Sequence, residues 1–309
     1  MRKIKILGHG VFLPETKIMF GDQTRYRVEN GITQVDMAEA ACRKALESAK
    51  LSMDDIDLII YSGAVPAQLI PSTASLVHEK LCKGKSIPAF DVNSSCTSFI
   101  TALDIASLYI DAGQYNTILV VSCDIASVGL NENQKESYEL FSDAAAAFII
   151  TKSDDDEGVV YSLQRTFSEG AHSTEIRAGG TLHPGYIYKP EDRADYLFDM
   201  QGKQALLTTA RYLPAVFDEF FKKYDLTIDD VDLIIPHQAS KALSMFMSRM
   251  KIPQDKYVDR VSEYGNMVSA SVPFMFSTLL SEGTVKKGDK VLLCGTAAGL
   301  SVNMLMLKL

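Results

Sequence analysis

An internal repeat limits the folds that are open to this chain. The segment Leu51–Ile60 returns as Leu226–Ile235, 175 residues later, with seven of its ten positions identical. A second match follows at the same offset, since Gly288 precedes an apolar strand-like run just as Gly113 does. Two matches in one order and at one spacing predict a duplicated α/β unit. Because each unit alternates strands with helices, we expect largely parallel or mixed sheets covered by helices.

A cysteine stands at a strand-to-helix turn in the first copy. Apolar residues make Ile87–Val92 a short strand, and the apolar positions after Cys96 suit a helix that ends near Gly113. Unpaired backbone N–H groups and the helix dipole at such a helix start favour a thiolate. Cysteine is also among the residues most often buried as inert core. On its own, Cys96 therefore fits a nucleophile and a core residue equally well.

The second copy carries further candidate residues at its strand ends. His237 directly follows the repeated strand, Asn266 stands in a Gly–Asn turn that opens a helix, and small residues fill Cys294–Leu300. Ligands of α/β folds bind at the carboxyl ends of strands, so we expect chemistry in these loops. Each also has a structural interpretation. His237 could be a histidine hydrogen-bonded within the protein, Asn266 a turn or capping residue, and Cys294–Leu300 a bend between strands.

Charge and cysteine content argue against several classes of function. The chain has 39 acidic and 31 basic residues and a formal net charge of −8, which argues against nucleic acid as the main partner. No apolar run reaches the length of a membrane span. The five cysteines are odd in number and form no CxxC pair, so we expect neither a disulfide framework nor a metal site. A reducing cytoplasm fits this content best.

Local patterns place other elements. The glycines and the proline between residues 8 and 34 predict mostly loop there, after a first strand over Lys3–Leu7. A long helix is expected over about Gln204–Tyr224, with Pro214 as the point where it can break. Residues 165–195 are expected to be rich in loops.

Several motifs in one order give the chain a resemblance to a known family. It resembles the thiolase superfamily, and within it the ketoacyl-ACP synthase III group, over essentially its whole length. The residues that carry this resemblance are Pro88–Asp91 leading to Cys96, Phe141–Ala146, Met200–Gly202, Pro236–Ala239 and Gly265–Pro273. The resemblance implies an α/β thiolase fold with five layers, α-β-α-β-α. It also implies a nucleophile half over residues 1–160 and a half carrying His and Asn over residues 161–309.

The same resemblance implies an acyltransferase that works in two stages. Cys96 would attack an acyl thioester and hold the acyl group, and His237 and Asn266 would bind the carbonyl oxygen of a malonyl thioester as CO2 leaves. The backbone N–H groups of Cys96 and Ala298 would form a second oxyanion hole, by their place in the family motif. The product would be a 3-oxoacyl thioester. The partners would be acyl carrier protein (ACP) or acyl-CoA and a second copy of the chain, with no cofactor beyond the substrates' phosphopantetheine arms.

The chain departs from this family near its N-terminus. Family members clamp the CoA adenine with a Trp and an Arg, but this chain contains no Trp. Tyr26 with Arg25 or Arg27 is one candidate for stacking on adenine, and ordinary surface charge is the other interpretation. The acyl donor, CoA or ACP, is therefore left open.

Tunnel and docking residues are also inferred from the resemblance. Ile70 stands where family members insert a loop tip into the partner subunit's acyl pocket, and we also place Gly299 and Phe274 at the substrate tunnel, with ordinary core as the alternative for Phe274. Lys241 and Arg249 are candidates for docking an acidic carrier protein, with simple solvation of both charges as the alternative.

Other functions share parts of this pattern. Cys, His and Asn in this order also describe a papain-like protease, but the local cysteine motif and the Trp of that family are absent. A true thiolase needs a second catalytic cysteine, and we interpret Cys294 as a buried strand-end residue instead. A non-catalytic partner subunit typically lacks the Cys or the His, and this chain keeps both. The main alternative is a relative that passes its acyl group to an alcohol, an amine or another non-malonyl acceptor.

Overall fold

Two mixed β-sheets, with helices between them and on their outer faces, make up the fold. The structure is a computed structural model that describes all 309 residues. The strands are β1 (Ile4–Phe12), β2 (Lys17–Phe20), β3 (Gln23–Tyr26), β4 (Leu58–Tyr61), β5 (Ala89–Asp91), β6 (Thr117–Asp124), β7 (Ala144–Lys152), β8 (Gly158–Thr166), β9 (Thr174–Glu175), β10 (Asp199–Met200), β11 (Leu233–Pro236), β12 (Lys290–Ala297) and β13 (Ser301–Lys308). The helices are α1 (Gln34–Ala49), α2 (Thr73–Cys82), α3 (Ser98–Asp111), α4 (Lys135–Tyr138), α5 (Gly202–Lys223), α6 (Leu243–Arg249), α7 (Val261–Tyr264) and α8 (Ser271–Ser281).

The two sheets share one strand order. The first sheet runs β1-β7-β6-β4-β5, and the second, read from its other edge, runs β8-β13-β12-β11. In both, the strand of the repeated decapeptide, β4 or β11, pairs in parallel with its neighbour β6 or β12, and the next two pairings are antiparallel. In place of β5 the second sheet has only a single parallel bridge, between Ile234 and Tyr257, and Ile234 is the repeat equivalent of Ile59, which pairs with Ala89 of β5. The repeated segments thus occupy equivalent places in two similar sheets.

Three apolar layers hold the sheets and helices together. Between the sheets, α3 and α8 pack into a central core, where the rings of Phe148 and Phe276 stack with centroids 5.2 Å apart. Helices α1 and α2 cover the outer face of the first sheet, and α5 and α6 cover that of the second. The predicted five-layered α-β-α-β-α arrangement is confirmed. Each fully buried large side chain in these layers stabilises the fold by about 1.5–3 kcal/mol.

The N-terminal region contains more strand than the sequence predicted. Strand β1 continues to Phe12, and β2 and β3 form a hairpin where we expected loop. Gly8 and Gly10 lie inside β1, because α1 approaches so closely that a Cβ on Gly8 would lie 2.4 Å from the carbonyl oxygen of Ala45. These glycines make room for a helix; their interpretation as turn residues was wrong.

Helix α5 passes through Pro214 without ending, so the break expected there is absent. A proline inside a helix costs about 3 kcal/mol, since one backbone hydrogen bond is lost. The helix buries Leu213, Val216, Phe217 and Phe220 against the second sheet, and burial of four such side chains outweighs that cost.

The expected boundary between the halves, at residue 160, falls inside strand β8. This strand starts at Gly158 and pairs with β13 in the second sheet. We propose that the two halves divide in the turn before β8, at residues 153–157.

Candidate active site

The lining of one cavity of about 1250 Å³ includes four of the residues that the sequence singled out. Cys96 lies in a single 3-10 turn between β5 and α3, and His237 follows β11 directly. Asn266 precedes α8, and Ala298 lies in the turn between β12 and β13. All four residues line the cavity. The fold therefore brings the four residues together, although Asn266, expected at a strand end, lies in the turn between α7 and α8.

The Cys96 thiol is partly buried and is held by its neighbours. Burial raises the pKa of this thiol to about 11, although hydrogen bonding from the Ala298 backbone and from the Ser95 side chain acts to lower it. Burial thus outweighs these hydrogen bonds, and the pKa is raised where the sequence predicted a lowered one. At neutral pH Cys96 is therefore a thiol.

His237 is neutral at physiological pH. Only 3% of its surface is exposed, and burial lowers the pKa of the imidazole to about 4. Its backbone N–H donates to the carbonyl of Cys294 at 2.8 Å, which ties the end of β11 to β12. The ring atom Nδ1 is buried without a hydrogen-bond partner. An unpaired N–H is rarer in protein interiors than an unpaired acceptor, so we assign the ring proton to Nε2.

Both ends of the Asn266 amide are fixed. Its Oδ1 accepts from the backbone N–H of Val268 at 2.8 Å, and its Nδ2 donates to the carbonyl of Ala239 at 3.1 Å. The main chain of Asn266 is held as well, since its N–H donates to Leu140 and its carbonyl accepts from Ser142. An amide nitrogen carries two protons, so one N–H of the side chain remains for a ligand. Because Ala239 is two residues after His237, this contact also joins the His and Asn segments.

Gly295 allows the nucleophile segment and the histidine to approach each other. A Cβ at this position would lie 2.7 Å from the Cβ of His237 and 3.1 Å from the Cγ2 of Thr97. Thr97 is the residue after Cys96, so β12 passes between the two candidate catalytic segments. From the sequence, Gly295 was interpreted only as one of the small residues in a loop that could approach a ligand. In the structure the side chains of His237 and Thr97 lie next to it.

Three of the loops around the cavity contain a residue in the left-handed region of backbone conformation. Their φ angles are 55° at Ser95, 52° at Val268 and 46° at Leu300. Each precedes or follows a candidate catalytic residue by one or two positions. A non-glycine residue in this region carries about 1–3 kcal/mol of strain, and a β-branched one such as Val268 is a clear outlier. The surrounding contacts therefore hold all three loops in place.

Arg25 was interpreted wrongly from the sequence. We weighed it as an adenine-stacking or surface residue, but its side chain is fully buried, and Tyr26 beside it is 9% exposed. The guanidinium donates to the carbonyls of Glu139 at 2.7 Å and Val261 at 3.1 Å. Its side chain lies so close to Gly265 that a Cβ there would be 2.5 Å from Arg25 Cδ. Arg25 thus braces the chain just before Asn266, and no local pattern could reveal partners that are distant carbonyls.

The tunnel assignments change with the structure. Phe274 is 3% exposed, packs in the central core and does not line the cavity, so its assignment to the tunnel is corrected. Gly299 does not line the cavity either, although its neighbours Ala298 and Leu300 do. Ile70 is 85% exposed and projects from the loop before α2. Its role at a partner subunit remains a prediction.

The two basic candidates for docking differ in position. Lys241 is exposed at the cavity wall, and its Nζ lies 3.7 Å from Oδ1 of Asp22. Arg249 is exposed at the end of α6 and does not line the cavity. Docking of a carrier protein by these residues therefore remains a prediction, and Lys241 has the better place for it.

Cys294 lies within β12 and is 2% exposed. Burial raises the pKa of its thiol to about 12. The residue lines the cavity wall, but it stands inside a strand and is almost fully buried, whereas Cys96 stands in a turn and is only partly buried.

Comparison with known proteins places the chain in a family. The family described as 3-oxoacyl-[acyl-carrier-protein (ACP)] synthase III matches residues 90–166, and its C-terminal part matches residues 221–309. A beta-ketoacyl-[acyl-carrier-protein] synthase III from Aquifex aeolicus is 30% identical, and the match covers 98% of this chain and 99% of the relative. The chain belongs to the 3-oxoacyl-ACP synthase III family. Another member, from Syntrophomonas wolfei, is 31% identical over 99% of this chain and 97% of its own.

Solved structures of the synthase III family share the fold. The crystal structure of 3-oxoacyl-[acyl-carrier-protein] synthase III from Aquifex aeolicus superposes with a TM-score of 0.88, at 26% identity, over 99% of this chain and 100% of that one. Xanthomonas campestris OleA, solved with lauric acid and lauroyl-CoA, gives a TM-score of 0.85 at 20% identity, over 99% of both chains. At that identity the likeness to OleA concerns the fold alone.

Two further findings describe the molecule as a whole. No group of three or more His, Cys, Asp or Glu side chains is arranged so that it could hold a metal ion. None of the helices combines the length and the apolar character needed to cross a membrane.

Proposed function

We propose that this protein is an acyltransferase that forms an acyl-Cys96 enzyme and condenses the acyl group with a malonyl thioester, carried by ACP, to give a 3-oxoacyl product. The observation that carries the proposal is the convergence of Cys96, His237, Asn266 and Ala298 on one cavity in a member of the synthase III family.

In the first stage Cys96 attacks the carbonyl carbon of the donor thioester. The new S–C bond forms, the donor's C–S bond breaks, and the proton of the Cys96 thiol passes to the departing thiol. The negative oxygen of the intermediate is stabilised by the backbone N–H groups of Cys96 and Ala298. The hydrogen bonding from the Ala298 backbone that lowers the pKa of Cys96 supports this placement.

In the second stage the malonyl thioester binds with its carbonyl oxygen near His237 and Asn266. Loss of CO2 leaves an electron pair that forms an enolate, whose carbon attacks the acyl carbon. The bond to Cys96 breaks, and its sulfur regains a proton from solvent. The enolate oxygen needs donors that are already in place. His237, neutral because burial lowers its pKa to about 4, and the free N–H of Asn266 supply two donors that need not give up a proton.

The remaining parts of the proposal concern partners. The donor and acceptor acyl groups are carried on phosphopantetheine of ACP or CoA, and the volume of the cavity, about 1250 Å³, supports entry of such an arm. Lys241 at the cavity wall is a candidate contact for an acidic carrier protein. We also propose a homodimer in the cytoplasm, with the exposed Ile70 loop facing the second subunit. Five free cysteines are compatible with a reducing compartment.

Intact-protein mass spectrometry tests the proposal. The protein is mixed with a panel of acyl-CoAs and acyl-ACPs and then with malonyl-ACP, with Cys96→Ala as the control. We expect an adduct on Cys96 that disappears as a ketoacyl product forms. An adduct that malonyl-ACP does not discharge would instead support transfer to an alcohol, an amine or another acceptor. No adduct with any donor would refute both.

A further inference from the structure

A buried carboxylate lies between the nucleophile segment and the Asn266 segment. Asp124 is the last residue of β6 and is 1% exposed. Its carboxylate accepts hydrogen bonds from the backbone N–H groups of Ala64, Val65 and Ser269 and from the Ser269 hydroxyl. Every one of these donors is neutral. A buried charge without a cation is unfavourable, so these hydrogen bonds must offset the cost of burying Asp124.

One branch of these contacts reaches Asn266. Ser269 is bound twice by Asp124, through its backbone N–H at 3.1 Å and through its hydroxyl. The residue before it, Val268, has a φ of 52° and donates its N–H to the Asn266 side chain at 2.8 Å. Left to itself, a β-branched residue would leave this conformation. The bonds from Asp124 to Ser269 therefore hold the strained residue that fixes Asn266.

The other branch reaches Cys96. Ala64, whose N–H binds Asp124, accepts a hydrogen bond from the side chain of Asn93 on its carbonyl at 2.9 Å. The same Asn93 side chain accepts from the backbone N–H of Ser95 at 2.8 Å. Ser95 has a φ of 55° and precedes Cys96. This branch runs through three hydrogen bonds, whereas the branch to Asn266 runs through two.

We propose that Asp124 is a positioning residue that holds the Cys96 and Asn266 segments in a fixed relation, so that the two stages of the reaction take place on one aligned site. The proposal rests on the proposed function for its effect on rates. Its structural content, one carboxylate that orders two loops, stands without it.

Asp143 provides a matched control. Its carboxylate is also buried, and it accepts from two backbone N–H groups, of Val28 and Ser127, and from the Ser127 hydroxyl. It contacts neither Ser269 nor Ala64. Asp143→Asn therefore measures the loss of a similar buried carboxylate without loss of the two branches.

Amide hydrogen exchange by mass spectrometry tests the structural content. In Asp124→Asn one carboxylate oxygen becomes an NH2 group that faces N–H donors, and the remaining oxygen loses its charge and accepts more weakly, so both branches should loosen. We expect faster exchange in residues 93–97 and 265–269 of Asp124→Asn, and no such change there in Asp143→Asn. Unchanged exchange in both segments, or equal increases in the two variants, would overturn the proposal whatever the activity of the protein.

The half-reactions test the functional content. Ser269→Ala should slow malonyl decarboxylation and spare acylation, Asn93→Ala should do the reverse, and Asp124→Asn should slow both, each by roughly tenfold. If Asp124→Asn does not fold, Ser269→Ala and Asn93→Ala decide: wild-type rates for both stages in both variants would overturn the proposal. Wild-type protein without either half-reaction would refute the proposed function, and hydrogen exchange would then decide on Asp124.

Discussion

The two halves of the chain place four strands in the same order but supply different chemistry. In the first half the candidate nucleophile follows β5, whose place in the second half is taken by a single bridge at Tyr257. In the second half His237 follows β11, the strand that the halves share, whereas the equivalent strand β4 is followed by Ser62 and Gly63. Duplication thus determines where a site can form, and the residues after each strand determine what the site does.

Burial favours the uncharged form of the candidate residue in each half of the site. It raises the pKa of the Cys96 thiol to about 11 and lowers that of the His237 imidazole to about 4. Both groups are therefore uncharged near pH 7, although each could ionise more readily in water. A site that binds acyl groups in an apolar cavity and develops negative charge only during reaction benefits from neutral, prearranged donors.

Removal of the nucleophile should give the largest effect. We expect Cys96→Ala to show no acyl adduct by intact-protein mass spectrometry, while its circular dichroism and thermal unfolding match those of the wild type. Because the second half is untouched, malonyl decarboxylation should persist. An adduct on this variant would place the nucleophile elsewhere and break the division of roles between the halves.

Removal of either donor in the second half should have the reverse effect. His237→Ala and Asn266→Ala should acylate Cys96 normally and lose malonyl decarboxylation by about 10²–10³, the usual effect of one lost oxyanion donor. Release of CO2 from malonyl-ACP is the measurement. Wild-type decarboxylation by either variant would remove that residue from the proposed mechanism.

A single methyl group at the contact between the halves should affect both stages. In Gly295→Ala the new Cβ meets His237 and Thr97 at distances that force one of them to move. We expect the free energy of unfolding to fall by about 1–3 kcal/mol, measured by urea denaturation, and acylation and decarboxylation to fall together. A loss confined to one half-reaction would show that only one of the two segments, that of His237 or that of Thr97, moves.

The pH dependence should be the smallest effect near neutrality. Since the folded-state pKa of His237 is about 4, this donor stays neutral above that value, and decarboxylation should be nearly constant from pH 7 to 8. Burial raises the pKa of Asp124 to about 6, so protonation of this carboxylate below that pH should loosen the loops that it orders, and protonation of His237 should lower the rate further as the pH approaches 4. The decline near pH 6 should be absent in Asp124→Asn. A decline centred near pH 6.5 in that variant, where an ordinary histidine titrates, would mean that His237 is accessible to water before substrate binds.

The sequence predicted the repeated α/β units and the site loops because both leave local marks, and the family resemblance implied the five layers. The repeat indicated the duplicated sheet, strand ends indicated Cys96 and His237, and a Gly–Asn turn before a helix indicated Asn266. Their roles stay predictions. Contacts between distant segments left no such mark. Arg25 binds carbonyls more than a hundred residues away, and Gly8 is explained only by the approach of α1. Phe274 could not be assigned from periodicity, because core and tunnel residues look alike in sequence.

The left-handed residues beside the cavity have a consequence for protein engineering. Val268 carries strain that glycine would relieve, because glycine adopts a φ of 52° readily. Relief of that strain is opposed by the entropy that glycine adds to the unfolded chain and by loss of the apolar contacts of the Val268 side chain with Leu130, Leu140 and Phe141. Val268→Gly should therefore change the free energy of unfolding by no more than about 1 kcal/mol. The same change would loosen the N–H that fixes Asn266. A screen for heat resistance alone would therefore pass a substitution that slows turnover.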